Sequence, residues 1–216
     1  MKKAILFGAS GFVGSCLLDE LLNNADYSEV TVVVRNALPI AHPKLKTLIG
    51  DYGSLPGLKG QIDADDVFIT LGTTKKKTPD EKLYYQIDHD YPVLAAKIAK
   101  EKGAKAVFVV TAVGANAESG IFYIRTKGET ERDIIALDFE HTSIFRPSMI
   151  MGDRKESRPL EKGLIRVFRM INPIFGSGKY RGIEGKDIAR AMNNAATGRQ
   201  TEKVKVYQWK EMNELL

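Results

Sequence analysis

A tyrosine and a lysine one helical turn apart are the pair in this sequence best suited to proton transfer. Tyr123 and Lys127 are spaced i and i+4, so a helix would present both side chains on one face. A free phenol titrates at about pH 10, and a neighbouring ammonium favours the phenolate and lowers the pKa of the phenol. The spacing therefore predicts a general acid or base acting on a carbonyl or an alcohol. A partly buried tyrosine beside a solvated lysine gives the same pattern, so the prediction depends on the rest of the chain.

A glycine-rich turn near the start of the chain supports this prediction of acid–base chemistry. The run G-A-S-G-F-V-G at residues 8–14 follows the apolar residues 4–7 and opens a helical pattern. A strand, a glycine turn and a helix N-terminus form the pyrophosphate end of a dinucleotide-binding βαβ unit. The spacing differs from the commoner G-x-G-x-x-G, and an ordinary strand-to-helix turn remains an alternative. The predicted cofactor contacts in this loop are Gly8, Ser10, Gly11, Phe12, Val13 and Gly14.

The residue after the second predicted strand bears on which dinucleotide is bound. Val30–Val34 is a continuous β-branched run typical of a buried parallel strand, and Arg35 follows it directly, 21 residues after Gly14. An acidic residue at this point would hold the ribose 2′-OH of NAD, whereas an arginine accommodates the 2′-phosphate of NADP. Arg35 therefore favours NADP(H) over NAD(H). A solvated arginine at a strand end is the alternative.

Two further strand ends supply candidate cofactor contacts. Asp51 and Tyr52 follow the predicted strand Leu45–Ile49, where an acidic residue can reach the adenine amino group. A turn or helix-capping role for Asp51 is the competing interpretation. The fourth predicted strand, Val67–Thr70, ends in small residues that would let the cofactor pass close to the backbone. The candidates there are Leu71, Gly72 and Thr73.

The alternation of strands and helices predicts the fold. We expect an α/β, doubly wound, mostly parallel Rossmann sheet with helices on both faces and a small C-terminal substrate-side region. Residues 1–216 are predicted to form a single domain, in which residues 148–182 are a substrate-side insertion. The other predicted elements are helices 12–23, 82–102 (kinked at Tyr91-Pro92) and 160–171, strands 106–110, 142–145 and 204–207, and a terminal helix 210–216.

Composition excludes several classes of protein. The net charge of +5 comes from dispersed basic residues, so no nucleic-acid-binding stripe is predicted. No apolar run is long enough for a membrane span. The single Cys16 excludes an intrachain disulfide, and together with the lack of a cleavable leader it predicts a cytoplasmic location. The three histidines are widely scattered, and no metal site is predicted.

Taken together, these motifs make the chain similar to an atypical short-chain dehydrogenase/reductase over essentially its full length. Within that family it resembles the branch of the Tat-interacting oxidoreductase-like proteins. The motifs that carry the resemblance are Gly8-Ala9-Ser10-Gly11, Leu71-Gly72-Thr73-Thr74, Asp88-His89-Asp90-Tyr91, Tyr123 with Lys127-Gly128-Glu129, Phe145-Arg146-Pro147 and the stretch from Asp153 to Pro159.

The resemblance implies roles for four residues. Tyr123 would be the acid/base, and Lys127 would be its partner and would also hold the nicotinamide ribose. The family's substrate-orienting hydroxyl would fall to Thr111, because the Ser-Ser of near relatives reads Thr111-Ala112 here. Asp88 stands where many extended members of the family have an asparagine that supports the proton relay.

Three functions are compatible with these observations. The first is an NADP(H)-dependent oxidoreductase of the short-chain type, acting on a carbonyl or alcohol of a small-molecule substrate. The second is a non-catalytic NADP(H)-binding sensor that regulates a protein partner, an alternative that the Thr111-Ala112 departure keeps open. The third is a nucleotide-sugar epimerase, against which Arg35 and the short substrate-side region argue. The sequence is compatible with an oligomer and singles out no interface.

Overall fold

The computed structural model describes residues 1–152, 181–199 and 201–216. The strands are β1 (Lys2–Phe7), β2 (Tyr27–Val34), β3 (Leu45–Ile49), β4 (Asp66–Ile69), β5 (Ala106–Val110), β6 (His141–Phe145), β7 (Ile150–Met151), β8 (Ile183–Glu184) and β9 (Val204–Tyr207). Seven of them form one sheet in which every neighbouring pair is parallel, with strand order β3-β2-β1-β4-β5-β6-β9. The two short strands β7 and β8 pair with each other.

Helices connect these strands. They are α1 (Phe12–Asn23), α2 (Leu55–Leu58), α3 (Glu81–Tyr85), α4 (Tyr91–Glu101), α5 (Phe122–Ala136), α6 (Gly185–Thr197) and α7 (Trp209–Asn213), with a 3₁₀ turn at Lys59–Gln61 and a π-helical turn at Gln86–Asp90. In the described part of the chain, no helix has the length and apolar character needed to cross a membrane.

The central strand β1 is buried on both faces, which explains its unbroken apolar sequence. Ala4 and Leu6 belong to one core cluster, together with apolar residues of α1 and α6. Ile5 and Phe7 belong to the other cluster, together with residues of α4 and α5. Because successive side chains of a strand point to opposite faces, one apolar run fills two cores. The predicted doubly wound α/β fold is confirmed.

Most element boundaries lie within one or two residues of the prediction, and two differ by three: the start of β2, and the end of the terminal helix, which stops at Asn213 instead of residue 216. The strand begins at Tyr27, three residues before the predicted start at Val30. Tyr27 is fully buried, and its hydroxyl donates to Asp66 Oδ2 at 2.6 Å, which fixes the start of the strand against β4. The predicted helix 160–171 lies outside the described residues.

The two ends of the predicted substrate-side insertion, residues 148–182, meet at one place. β7 and β8 pair there in parallel, with Ile150 opposite Ile183. The Ser148 hydroxyl donates to the Arg181 carbonyl at 2.5 Å. The chain therefore leaves and re-enters the described fold at a single point beside β6, and the insertion itself stays a prediction.

The kink expected at Tyr91-Pro92 is a π-helical turn with a specific consequence. Pro92 lacks an N–H and cannot donate to the carbonyl of Asp88, four residues earlier. The Thr130 hydroxyl from α5 lies 2.8 Å from that carbonyl oxygen and 2.8 Å from the Thr126 carbonyl oxygen, so its one proton is shared between the two acceptors. Asp88 is thereby held in a buried position, 1% exposed, in a widened turn of the kind that often marks functional sites.

Candidate active site

The glycine loop between β1 and α1 has the backbone geometry that a dinucleotide loop needs. Gly8 has φ of +97°, a region that favours glycine, and a Cβ there would lie 2.7 Å from Thr70 Oγ1. Gly11 begins α1 as its N-cap, and Ser10 and Gly11 are both exposed. No side chain among the described residues caps this helix with a hydrogen bond. The N-terminal amides of α1 are therefore presented at an open loop, as anion binding requires.

The side chains of this loop serve packing, which leaves its backbone for a cofactor. Val13 is 8% exposed and belongs to the core cluster of α1. The Phe12 ring lies against Gly152 and Gly185, where a Cβ would be 2.4 Å and 2.5 Å from ring carbons. Cofactor binding by Phe12 and Val13 stays a prediction, and the packing of both side chains restricts it to their backbone.

Gly14 makes the closest contact of the loop, and its replacement should be costly. A Cβ on Gly14 would lie 2.0 Å from the Gly8 carbonyl oxygen and 2.7 Å from the carbonyl carbon. Both are backbone atoms, so they cannot move aside as a flexible side chain could. We expect Gly14→Ala to push α1 away from β1, to lower the free energy of unfolding by about 1–3 kcal/mol and to weaken NADPH binding. Chemical denaturation and calorimetric titration measure the two effects.

Gly57→Ala is the matched control, because a Cβ on Gly57 would have no neighbour within 4 Å. This variant should keep both wild-type stability and wild-type NADPH affinity. Equal behaviour of the two alanine variants would contradict the role given to Gly14.

The end of β4 connects the glycine loop to the predicted proton-transfer pair. Thr70 lies against both Gly8 and Gly14, and its hydroxyl donates to the Phe7 carbonyl at 3.2 Å. Two residues further on, a Cβ on Gly72 would lie 3.6 Å from Lys127 Nζ and 3.5 Å from Asp88 Oδ1. Leu71 and Gly72 thus lie between the glycine loop and Lys127. Because Gly72 has no side chain, the space beside Lys127 Nζ is not filled from this position.

Lys127 is held by a buried ion pair. Its Nζ lies 2.6 Å from Asp88 Oδ1, and the two side chains are 8% and 1% exposed. The second oxygen, Asp88 Oδ2, accepts a hydrogen bond from the Thr73 backbone N–H at 2.7 Å. One carboxylate therefore joins α5 to the loop after β4. An ammonium has three N–H donors, so this pair leaves donors of Lys127 for a further ligand.

Tyr123 lies in the first turn of α5, and its electrostatic environment differs from the one predicted. The residue is 43% exposed, yet the protein packed around its phenol and the negative charge of Asp88 both raise the pKa of Tyr123. The predicted lowering of this pKa by Lys127 is wrong for the protein in this form. Lys127 is paired with Asp88, and the groups that act on the phenol are the surrounding protein and the Asp88 carboxylate.

Thr111 is committed to a different buried network. Its hydroxyl donates to Glu131 Oε1 at 2.5 Å, and the residue is 5% exposed. Glu131 in turn accepts a bidentate pair from Arg146, with Nε donating to Oε1 at 2.9 Å and a terminal nitrogen donating to Oε2. A proton given to Glu131 is not available to a substrate carbonyl, so this arrangement does not support the predicted substrate-orienting role of Thr111.

The remaining predicted contacts occupy strand ends on the other side of β1. Arg35 is exposed and follows β2 directly. Asp51 is also exposed, and its Oδ1 accepts from the Ser54 N–H at 2.9 Å, a bond that lowers the pKa of Asp51. That is the turn role considered as its alternative. The Tyr52 ring stacks on Tyr91, with ring centroids 4.0 Å apart.

Sequence reasoning passed over Glu131 and mentioned Asp88 and Arg146 only through a resemblance. Signals for Asp88 and Glu131 were present. Pro92 four residues after Asp88 indicates an unsatisfied carbonyl, and Glu131 lies at i+4 from Lys127, on the same helix face. A polar residue continuing a face that also carries Tyr123 and Lys127 indicates a buried polar network.

The fold and the loop together define an NAD(P)H-binding, Rossmann-like α/β protein. A family model described as NAD(P)H-binding matches residues 8–167. The chain belongs to this NAD(P)H-binding family. The predicted resemblance to the atypical short-chain dehydrogenases/reductases is also confirmed.

Named relatives and a solved structure agree with this assignment. "Protein FMP52, mitochondrial" from Kluyveromyces lactis is 32% identical over 222 residues, covering 98% of this chain and 97% of that protein. "Protein fmp52, mitochondrial" from Aspergillus fumigatus is 34% identical over 203 residues, covering 90% and 87%. The structure of MoeE5 in complex with UDP-glucuronic acid and NAD matches with a TM-score of 0.71 and 21% identity, covering 94% of this chain and 75% of that one.

The names of these relatives overturn the predicted cytoplasmic location. Relatives from several fungi are named mitochondrial, and they cover most of this chain. The prediction rested on a single cysteine and on the absence of a secretory leader. A single cysteine excludes an intrachain disulfide, and neither feature distinguishes the cytoplasm from a mitochondrion.

Proposed function

We propose that this protein is an NADP(H)-dependent oxidoreductase of the short-chain type, acting on a carbonyl or alcohol of a small molecule. The observation that carries the proposal is the path from the glycine loop through Thr70 and Gly72 to Lys127. A phosphate-binding loop at one end and a Tyr-Lys helix face at the other are the two parts that such a reaction needs. In accord with the names of its relatives, we propose a mitochondrial location.

The residues fit a dinucleotide. Side chains at Gly8 and Gly14 would occupy space that the backbone fills, and the uncapped start of α1 suits a pyrophosphate. Gly72 would let a ribose approach the free donors of Lys127. When bound, the cofactor supplies or accepts a hydride, which no side chain of the chain can do.

The chain's own contribution is the handling of one proton and the placement of the substrate. Tyr123 would give its phenolic proton to a carbonyl oxygen during reduction, or take the hydroxyl proton of an alcohol during oxidation. Lys127 would orient the nicotinamide end of the cofactor beneath that phenol. The 43% exposure of Tyr123 leaves room for a substrate against its ring.

Arg35 gives the proposal a test that requires no known substrate. A guanidinium paired with the 2′-phosphate makes charge-assisted hydrogen bonds worth about 1.5–3 kcal/mol, which corresponds to roughly tenfold to a hundredfold in affinity. We expect the wild type to bind NADPH more tightly than NADH by a factor in this range. Arg35→Asp should abolish the preference by repelling the phosphate. Calorimetric titration with both nucleotides measures it.

Arg199→Asp is the matched control for this charge reversal. Arg199 is exposed and follows α6. The end of α6 lies near the start of β1, because Lys2 Nζ donates to the Ala196 carbonyl. Arg199 therefore lies toward the amino ends of the strands, opposite the glycine loop. The control variant should keep the nucleotide preference of the wild type. If neither nucleotide binds to the wild type, the proposed function is wrong.

One observation favours a second candidate, a non-catalytic NADP(H)-binding sensor that regulates a protein partner. The Thr111 hydroxyl donates to Glu131, so the residue predicted to orient the substrate is not available for that role. A sensor would bind NADPH through the same loop and reduce no carbonyl. Nucleotide binding is common to both candidates, and turnover separates them.

A further inference from the structure

We propose that Asp88 is a positioning residue that keeps Lys127 in a neutral ion pair. Tyr123 then remains a phenol at neutral pH, which is the form needed to reduce a carbonyl rather than to oxidise an alcohol. The inference rests on the proposed function for its chemistry and on the geometry of Asp88 for its mechanism.

The geometry shows that the pair is built into the fold. Asp88 is held at three atoms: Oδ1 by Lys127, Oδ2 by the Thr73 N–H, and its carbonyl by the Thr130 hydroxyl. Pro92 has no N–H to donate to the Asp88 carbonyl, which leaves that oxygen available to the Thr130 hydroxyl. A carboxylate fixed in this way cannot turn aside from the ammonium.

The electrostatic consequence follows from the charges around Tyr123. The ionisable groups coupled to the phenol are Asp88 from the π-helical turn and Tyr84 from α3. Lys127 follows Tyr123 by one turn on the same face of α5, and its Nζ lies 2.6 Å from Asp88 Oδ1. Lys127 is the cation among these three groups, and Asp88 cancels its charge. An asparagine at position 88 would leave the ammonium uncompensated, and the nearby phenolate would then be favoured.

The form of Tyr123 that is present decides which direction of the reaction is fast at neutral pH. A bound reduced nicotinamide would supply the hydride for reduction of a carbonyl, and Tyr123 would give its phenolic proton to the carbonyl oxygen as the π bond breaks. The phenolate left on Tyr123 would then recover a proton from water at its exposed face. Oxidation of an alcohol needs the phenolate at the outset, and Asp88 disfavours that form.

Titration of Tyr123 in the protein without ligands tests this directly. Tyrosine labelled with ¹³C at Cζ reports the phenolate by NMR, and the Tyr123→Phe spectrum identifies the resonance. In the wild type we expect the Tyr123 midpoint above the ordinary tyrosine value. Asp88→Asn should lower that midpoint by about one pH unit or more, and the double variant Asp88→Asn/Lys127→Gln should return it toward the wild-type value.

Asp90→Asn is the matched control, because it removes a carboxylate from the same turn that pairs with His89 instead of Lys127. It should leave the Tyr123 midpoint unchanged. The proposal is overturned if the wild-type midpoint lies below the ordinary value. It is also overturned if Asp88→Asn leaves the midpoint in place, or if the double variant keeps the shift of the single one.

Two further measurements keep the outcome decisive. If Asp88→Asn does not fold, Lys127→Gln alone should raise the midpoint further, because Asp88 then acts on the phenol uncompensated; a fall would overturn the proposal. Where turnover is found, the pH profile of alcohol oxidation by Asp88→Asn should shift to lower pH with its Tyr123 midpoint. Absence of turnover in every protein would contradict the proposed function, while the titration would still decide the role of Asp88.

Discussion

Replacing Arg146 with alanine is expected to lower the free energy of unfolding by about 3–5 kcal/mol. Arg146 binds Glu131 through two nitrogens, and the Glu131 side chain is 5% exposed. Without the guanidinium, Glu131 would be a buried carboxylate that, within the described part of the chain, retains the Thr111 hydroxyl as its hydrogen-bond partner. The cost is that of an uncompensated buried charge, which is larger than the net value of the intact pair. Urea denaturation followed by circular dichroism measures it.

Lys59→Ala provides the comparison. Lys59 Nζ lies 2.6 Å from Glu101 Oε2, a distance typical of a strong pair, but both side chains are largely exposed. Solvent screens such a pair, so its removal should leave the free energy of unfolding nearly unchanged. A similar small loss in both variants would show that burial does not give the Arg146 pair its importance.

Arg146→Ala should also disturb the site, because Glu131 ties three elements together. It joins α5 to Thr111 at the end of β5 and to Arg146 at the end of β6. The same helix carries Tyr123 and Lys127 toward the glycine loop. A variant that still folds at low temperature should therefore bind NADPH more weakly than the wild type, a loss that calorimetric titration detects.

The sheet could be predicted from the sequence because its signals are local. The inner strands β1, β2, β4 and β5 each contain an apolar run of three to five residues, followed by a glycine or a polar residue. A strand buried on both faces has little freedom to be anything else. The start of β2 was missed because Tyr27 is fixed by Asp66, 39 residues away, and no pattern within the strand reports that bond.

The site was only half predictable, for a related reason. The glycine loop is a property of consecutive residues, so its residues could be named in advance. The partners of Lys127 and Thr111 come from other elements, and a sequence pattern that names two side chains does not say which buried group each will meet. Asp88 changes the electrostatic role of Lys127, and Glu131 takes the Thr111 hydroxyl. Both corrections concern buried carboxylates, whose positions depend on tertiary packing.

Tyr123→Phe is expected to reduce the turnover of a carbonyl substrate by about 10²–10⁴-fold while NADPH affinity stays at the wild-type value. The substitution removes the one proton that the proposed reaction takes from the protein and keeps the aromatic ring at the start of α5. Consumption of NADPH against a panel of carbonyl compounds measures turnover, and calorimetry measures binding.

Tyr85→Phe is the control, because Tyr85 lies outside the predicted site. Burial and a hydrogen bond from its hydroxyl to Glu129 raise the pKa of Tyr85 to about 12. Equal turnover in both variants would remove Tyr123 from the mechanism. Tight NADPH binding by a wild type that reduces no member of the panel would favour the sensor over the enzyme.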